Sequence, residues 1–213
     1  TAAKDSSPAT TDAAGSRDNT PVVLTGSADG TVTYGNDSVT VDASHTEEGY
    51  LMVSYSGSNS KVKLQITGSD EITYTYNLHD GYETFPLTSG SGSYTVGVFE
   101  NIEGTSYSTL FTQAIDVTIQ DEFGPYLYAN QYVNFSADSK VISKAMELSA
   151  SANDDLEVIE NVYNYIITNF TYDYDKAASV QSGYLPNVDE VLASQTGICF
   201  DYAAVMASML RCE

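Results

Sequence analysis

The hydrophobic pattern of this chain changes once, near Asp121, and that change constrains the fold more than any other feature. Before it, apolar and polar residues alternate, as in KVKLQI at 61–66, where Val62, Leu64 and Ile66 share one face. Alternation with a period of two is typical of a strand with one buried face. After it, apolar residues recur at helical spacing. Strands followed by helices predict an α+β chain of two domains.

The segment 21–120 is predicted to form a β-sandwich of immunoglobulin-like type, because about seven short strands fit into it. The turn Gly68-Ser69-Asp70 separates KVKLQI from EITYTY at 71–76, which predicts a hairpin. The segment has no Trp and no cysteine pair, which excludes the antibody variety. The other predicted strands are VTVDA (39–43), YLMVSY (50–55), YTVGVF (94–99) and FTQAIDVTI (111–119).

The segment 121–213 is predicted to form a mainly helical domain. Asn187 followed by Glu190 is the sequence pattern of a capping box at a helix start. The predicted helices begin at Ser136 or Asp138, at Asn153, at Asn187 and at Cys199. In the second of them, the apolar stripe consists of Leu156, Ile159, Tyr163, Ile166, Ile167 and Phe170.

The first residues, 1–20, consist almost wholly of Ala, Ser, Thr, Asp, Gly and Pro and show no apolar periodicity. This composition predicts a flexible polar tether. A tether ahead of a folded domain suits a protein attached at its N-terminus, so a lipid anchor on a cell surface is one expectation. A frayed terminus without a role fits the same composition equally well.

Charge and composition exclude several classes of partner. The chain has 8 basic and 29 acidic residues among 213, which gives a formal net charge of −21. A polyanion repels phosphates and anionic lipid, so nucleic acid is not an expected partner. No run approaches the roughly 20 apolar residues of a membrane-spanning segment. No cofactor and no metal are expected, since Asp173 and Asp175 lack the glycine and closing glutamate of a calcium loop.

The segment with the most chemical information is GICFDYAA at 197–204. Here Cys199 follows a turn that contains glycine and stands among the first residues of a predicted helix. Unpaired backbone N–H groups and the helix dipole favour a thiolate at such a position, and the thiolate is the attacking form of cysteine. Position alone also fits a small buried cysteine without chemistry.

The other cysteine and the two histidines are weaker candidates. Cys212 lies 13 residues beyond Cys199, which is roughly 20 Å along a helix. That separation excludes a disulfide between them and favours a free structural thiol at Cys212. His45 and His79 lie in segments rich in turn residues, so both are expected to be solvated loop side chains.

The string SGYLPNVDEVLASQTGICFDYAAVMASMLR at 182–211 resembles the nucleophile segment of the transglutaminase-like superfamily. The motif is Gly-x-Cys-x-Asp-Tyr/Phe-Ala at the start of a helix. The resemblance implies the N-terminal portion of a transglutaminase- or papain-like cysteine domain. It also implies that Cys199 is the nucleophile of a Cys-His-Asp triad. Gly197, Asp201 and Tyr202 then support the motif, and Asp201 is not the triad acid.

The resemblance also predicts what this sequence lacks. In the superfamily the triad His and Asp lie on strands after the nucleophile helix, whereas this sequence ends at Glu213 with no histidine after His79. A cysteine without its general base is expected to be inactive or nearly so. Either the sequence is truncated, or a second chain supplies the missing strands in a domain-swapped dimer. The expected oxyanion donor is the backbone N–H of Cys199, with Gln195 as a candidate side-chain donor.

The whole chain resembles secreted or lipid-anchored bacterial proteins in which a β-sandwich precedes such a domain. This implies an extracellular or cell-surface cysteine enzyme that hydrolyses a peptide, protein or peptidoglycan-type substrate through a Cys thioester. The alternative is a non-catalytic cell-surface adhesion or ligand-binding protein that uses the β-sandwich. In that case the cysteine domain is a scaffold.

Overall fold

The computed structural model describes residues 15–213. The alternating apolar residues form eight strands, which pair antiparallel. These are β1 (Thr33–Gly35), β2 (Val39–Asp42), β3 (Tyr50–Tyr55), β4 (Val62–Thr67), β5 (Thr73–Leu78), β6 (Gly81–Pro86), β7 (Gly92–Glu103) and β8 (Ser106–Val117). They make two four-stranded sheets with the orders β1-β2-β3-β6 and β5-β4-β7-β8.

The two sheets enclose one hydrophobic core. Val41, Val53 and Phe85 from the first sheet and Leu64 and Val96 from the second are fully buried members of the same cluster. Two antiparallel sheets that bury their inner faces against each other form a sandwich. Its immunoglobulin-like type stays a prediction.

The predicted hairpin between β4 and β5 is present, with Ile66 opposite Tyr74. The alternation predicted for β5 is only partly right. Tyr76 is buried, but Ile72 and Tyr74 are exposed. The reason is that β5 is the edge strand of its sheet, and only its second half reaches the core.

The C-terminal part folds into helices, so the α+β class is confirmed. Asp154 and Asn187 cap their helices by accepting the backbone N–H three residues on, at 2.9 and 3.3 Å. In the described part of the chain no helix is both long and apolar enough to cross a bilayer. The elements are α1 (Lys140–Ser149), α2 (Asp155–Asn169), α3 (Tyr174–Ser179), α4 (Val188–Ser194) and α5 (Cys199–Arg211), with a short parallel pair β9 (Thr171–Tyr172) and β10 (Thr196–Gly197).

The buried face of α2 matches the predicted stripe only in part, because only Ile166 and Phe170 of that stripe pack on the helical core. Val158, Val162 and Ile166 are buried in the helical core. Because α2 is apolar on two faces, periodicity alone could not say which face meets α1 and α5. The remainder of the predicted stripe forms an outer face that is between 44% and 75% exposed, made by Leu156, Ile159, Tyr163 and Ile167.

The chain before the sandwich lies along the helical domain. The backbone N–H of Val22 donates to the carbonyl of Cys212 at 2.8 Å. The guanidinium of Arg17 lies 2.7 Å from the carboxylate of Asp155 at the start of α2. The helical domain is therefore assembled from both ends of the described chain.

This contact bears on the predicted tether at 1–20. Residues 1–14 lie outside the described residues, so the prediction is not tested for them. Residues 15–20 are not a free spacer, because they hydrogen-bond to the helical domain. Composition could not reveal this, since the partners lie more than 100 residues away in sequence.

Candidate active site

Helix α5 begins at Cys199, as predicted, and the thiol is exposed. Ile198 is the N-cap residue with an extended backbone, and its carbonyl accepts the N–H of Tyr202 at 3.1 Å. The N–H groups of the first helical turn have no acceptor within the helix, and that of Cys199 is the first of them. The segment 195–199, here named the cysteine turn, thus places a thiol beside free backbone donors.

Gly197 is required by a close approach to Asp201. A Cβ added at Gly197 would lie 2.7 Å from the Cβ of Asp201 and 2.8 Å from its Oδ2. That oxygen accepts the backbone N–H of Ile198 at 2.8 Å. An acidic residue at the third helical position is the usual partner of the N-cap N–H. The Gly-x-Cys-x-Asp spacing is thereby explained by local geometry.

Asp201 is fully buried, and its charge is compensated. Its Oδ2 accepts from Lys176 Nζ at 2.7 Å, and its Oδ1 accepts from the Tyr184 hydroxyl at 2.6 Å. Burial acts to raise the pKa of Asp201, but the hydrogen bonds from Lys176 and Tyr184 outweigh it and hold the pKa below its usual range. Burial likewise acts to lower the pKa of Lys176, and Asp201 raises it overall. An ion pair between the buried carboxylate of Asp201 and the partly exposed ammonium of Lys176 therefore lies behind the cysteine turn.

Backbone hydrogen bonds fix the same turn to β9 and α3. The N–H of Thr171 donates to the carbonyl of Gln195 at 2.8 Å, and the N–H of Asp173 donates to that of Gly197 at 2.9 Å. Asp173 also caps α3, since its carboxylate accepts the N–H of Lys176 at 2.8 Å. Asp175 lies in the first turn of the same helix.

Gln195 does not serve the site as predicted. It ends α4 in a left-handed conformation with φ 50°. Its side-chain amide donates to the hydroxyl of Tyr165 at 3.3 Å. The structure therefore gives no support to Gln195 as a side-chain oxyanion donor.

Tyr202 packs on the side of α5 that faces β9. Its ring meets Phe170 and Tyr172 edge-on, with centroid distances of 5.5 and 6.2 Å. Its hydroxyl is buried and has no hydrogen-bond partner within residues 15–213. The ring thus fixes α5 by packing, in line with the supporting role that the resemblance implies.

Phe200 connects the cysteine turn to the sandwich through aromatic contacts. Its ring lies edge-on to Tyr132, at 5.9 Å, and to Tyr184, at 6.3 Å. Tyr132 in turn contacts Tyr76 of β5 at 5.5 Å. The start of α5 is therefore packed against both the Asp201 network and the sandwich.

Neither histidine is hydrogen-bonded to Cys199 in the described residues. Both belong to the sandwich and contact carboxylates. His79 is exposed, as predicted, and its Nδ1 lies 3.1 Å from Glu83.

The prediction that His45 is solvated is wrong. Its side chain is 19% exposed, with Nε2 2.9 Å from Asp29 and Nδ1 3.1 Å from Glu48. The ring also stacks on Tyr50 at 5.3 Å. Turn-rich sequence around His45 could not show that two acidic residues and an aromatic ring enclose it.

Cys212 is a free, buried thiol, as predicted. Its Sγ donates to the carbonyl of Met209 at 3.1 Å, and burial raises its pKa to about 11. Such a thiol is protonated at neutral pH and does not attack.

A cleft of about 410 Å³ lies beside the site, reaches the cysteine turn at Thr196 and is lined also by Lys176 and Tyr184. Among residues 15–213, no group of three or more His, Cys, Asp or Glu side chains is arranged to hold a metal. A cleft of about 540 Å³ lies between the sandwich and the helical domain. Its walls include His79, Glu83, Gln131, Phe135 and Leu185.

Sequence reasoning missed two residues of this site, Lys176 and Tyr184. One signal was available, because Lys176 is the only basic residue between Lys144 and Arg211. A lone base in an acidic stretch is a candidate partner for a buried carboxylate. The pairing with Asp201 could not be predicted, because it depends on how α3 packs against the cysteine turn.

Comparison with known proteins supports the resemblance at the level of the superfamily. Residues 142–213 match the model of the transglutaminase-like superfamily. The UPF0252 protein MJ1282 of Methanocaldococcus jannaschii is 28% identical over 72 residues, which cover 32% of this chain and 20% of that protein. The chain thus spans about a fifth of the length of this relative. A bacterial source stays a prediction.

Proposed function

Because residues 142–213 match the model of the transglutaminase-like superfamily, we propose that Cys199 is a nucleophile for acyl transfer from a peptide bond or a side-chain amide. One observation carries this proposal: the thiol is exposed at the first residue of α5, where backbone N–H groups are free. Such donors can hold the negative charge that develops on the carbonyl oxygen. The match to the superfamily model supports cysteine-based acyl transfer or hydrolysis as the class of reaction.

The proposed reaction has two halves. In the first, the Cys199 sulfur attacks the amide carbonyl carbon, the C–N bond breaks, and the thiol proton leaves with the amine. A thioester remains on the enzyme. In the second, water attacks the thioester, the C–S bond breaks, and the acid and the free thiol are formed. Hydrolysis is the proposed outcome, while an amine in place of water would give transamidation.

The proposal requires a general base that is not among the described neighbours of Cys199. His45 and His79 are engaged by carboxylates in the sandwich. We therefore assign the base and its orienting acid to a segment outside residues 15–213 or to a second chain. On this proposal, the 213-residue chain alone is acylated at Cys199 but turns over amides very slowly.

The proposed substrate is a peptide, a protein or a peptidoglycan-type peptide at an extracellular or cell-surface location. Two observations support it. The cleft of about 410 Å³ reaches the cysteine turn at Thr196, and its polar lining, which includes Asp173 and Tyr184, suits a peptide or a glycan. The strongly acidic composition disfavours phosphate-rich polymers inside the cell.

The test uses p-nitrophenyl acetate, an acyl donor whose leaving group needs no proton from the enzyme. We expect one acetyl group per chain, located on Cys199 by peptide mass spectrometry and removed by hydroxylamine. Cys199→Ala should abolish this label, while Cys212→Ala, the matched control, should keep it. An unmodified Cys199 with label spread over lysines would contradict the nucleophile assignment.

The alternative is a non-catalytic adhesion or ligand-binding protein. The observation that favours it is that both histidines lie in the sandwich, bonded to carboxylates. An inert Cys199 in the acetylation experiment would support this alternative.

A further inference from the structure

We propose that Lys176 is a positioning residue for Cys199 and acts through Asp201. Its ammonium keeps the Asp201 carboxylate charged and folded over Gly197, which fixes the cysteine turn. This inference rests on the proposed function of Cys199 and adds a residue to the same site. Lys176 itself does not touch the reacting atoms.

The first step concerns Asp201, whose side chain is completely buried. Its two oxygens accept three hydrogen bonds, from the Ile198 N–H, the Tyr184 hydroxyl and Lys176 Nζ. A buried carboxylate is tolerated only when it is paired and hydrogen-bonded. Of its three donors only Lys176 carries a charge, so the charged state of Asp201 depends on it.

The second step concerns the fixed position of Lys176. Its Nζ donates to the Tyr184 hydroxyl at 2.6 Å and lies 4.3 Å from the centroid of that ring. Lys176, Tyr184 and Asp201 thus form a closed triangle of hydrogen bonds. The backbone N–H of Asp173, the N-cap residue of α3, donates to the carbonyl of Gly197, which holds the start of α3 and Lys176 beside the cysteine turn.

The third step is the consequence for the thiol. Without the ammonium, Asp201 either takes up a proton or remains as an uncompensated buried anion close to Cys199. A protonated Asp201 is a weaker acceptor for the Ile198 N–H, which loosens the turn. A bare anion near the thiol opposes formation of the thiolate. Both outcomes make Cys199 a poorer nucleophile.

The experiment measures alkylation of Cys199 by iodoacetamide between pH 6 and pH 9 on the full 213-residue chain. In this reaction the sulfur–carbon bond forms, iodide leaves, and the thiol proton goes to solvent. We expect Lys176→Met to slow alkylation at pH 7 roughly tenfold and to move the pH profile to more alkaline values. Lys176→Arg retains the charge and should recover part of the rate.

Lys144→Met is the matched control. Lys144 also pairs with a carboxylate, that of Glu147 at 2.5 Å, and also lies over a tyrosine ring, that of Tyr165 at 5.2 Å. It belongs to the same domain but has no hydrogen bond to Asp201. Its replacement should leave the alkylation rate and the pH profile of Cys199 unchanged.

The outcomes separate this inference from the proposed function. If Cys199 of the wild type reacts and the Lys176→Met variant shows the same rate and pH profile, the inference on Lys176 is overturned and the proposed function of Cys199 is not. A wild-type Cys199 that does not react overturns both. If Lys176→Met lets the buried Cys212 react, the domain has unfolded, and Lys176→Gln decides instead. That variant keeps a polar hydrogen-bond donor but removes the charge, and an unchanged rate for it in a folded domain also overturns the inference.

Discussion

Replacement of Gly197 by alanine should destabilise the helical domain by about 3 kcal/mol. The new Cβ would lie 2.7 Å from the Cβ of Asp201, an atom fixed to the helix backbone that cannot turn away. Overpacking of this kind costs about 1–3 kcal/mol. If Asp201 is displaced, the hydrogen bond from Ile198 to its charge is also lost, which costs about 1.5–3 kcal/mol. A shift of the start of α5 relieves part of the overpacking and part of the hydrogen-bond loss. We therefore expect a total destabilisation of about 3 kcal/mol, which corresponds to roughly a hundredfold rise in the unfolded fraction.

The assay uses Cys212 as the reporter of unfolding. This thiol is buried in the helical core, and in a Cys199→Ala background it is the only thiol left to label. Its alkylation across a urea series therefore follows the unfolding of that domain. Gly97→Ala in β7 is the control, because its added Cβ would meet the far end of the Phe99 ring at 2.8 Å and Thr112 Oγ1 at an ordinary contact distance of 3.8 Å. Equal midpoints for Gly197→Ala and its parent would refute the close-approach explanation.

Two further predictions concern the sandwich and the outer face of α2. Burial acts to lower the pKa of His45, but Glu48 and Asp29 outweigh it and raise the pKa overall. The contribution of protonated His45 to stability is therefore complete below about pH 6.5 and is lost as the pH rises through the folded-state pKa of His45. We expect His45→Gln to remove this pH dependence from the urea unfolding of the sandwich. Ile159→Lys combined with Ile167→Lys should change the unfolding free energy by only about 0.5 kcal/mol per substitution and should abolish any self-association seen by light scattering. A dimer that survives the double substitution would show that the outer face of α2 is not its interface.

Local signals predicted most elements of the fold correctly. The strand YLMVSY, the cap Asn187 and the start of α5 depend on residues within a few positions of each other. Such features are set by alternation and by first-turn hydrogen bonds, which a sequence displays directly. Helix α3 was missed because its six residues are too few to show a period.

The parts that could not be predicted depend on distant partners. Helix α2 offers two apolar faces, and only packing against α1 and α5 selects the one that contains Val162. The position of Cys199 followed from its motif, whereas Lys176 reaches the site across 25 positions of sequence. His45 acquires one of its two acidic neighbours, Asp29, in the same way, from a loop 16 positions earlier. Periodicity carries no information on such pairs.

The hydrogen bond between Val22 and Cys212 has a consequence for the order of events during synthesis. The strands β1 to β8 find all their sheet partners among themselves, so the sandwich can fold while the ribosome is still making the rest. The helical domain has to wait, because its contacts join residues that precede the sandwich to a helix that follows it. In a chain stalled before α5, the two sheets should therefore be folded, while the Val22 amide should not be protected against hydrogen exchange. The earliest residues of the described chain to leave the ribosome are among the last to reach their final place.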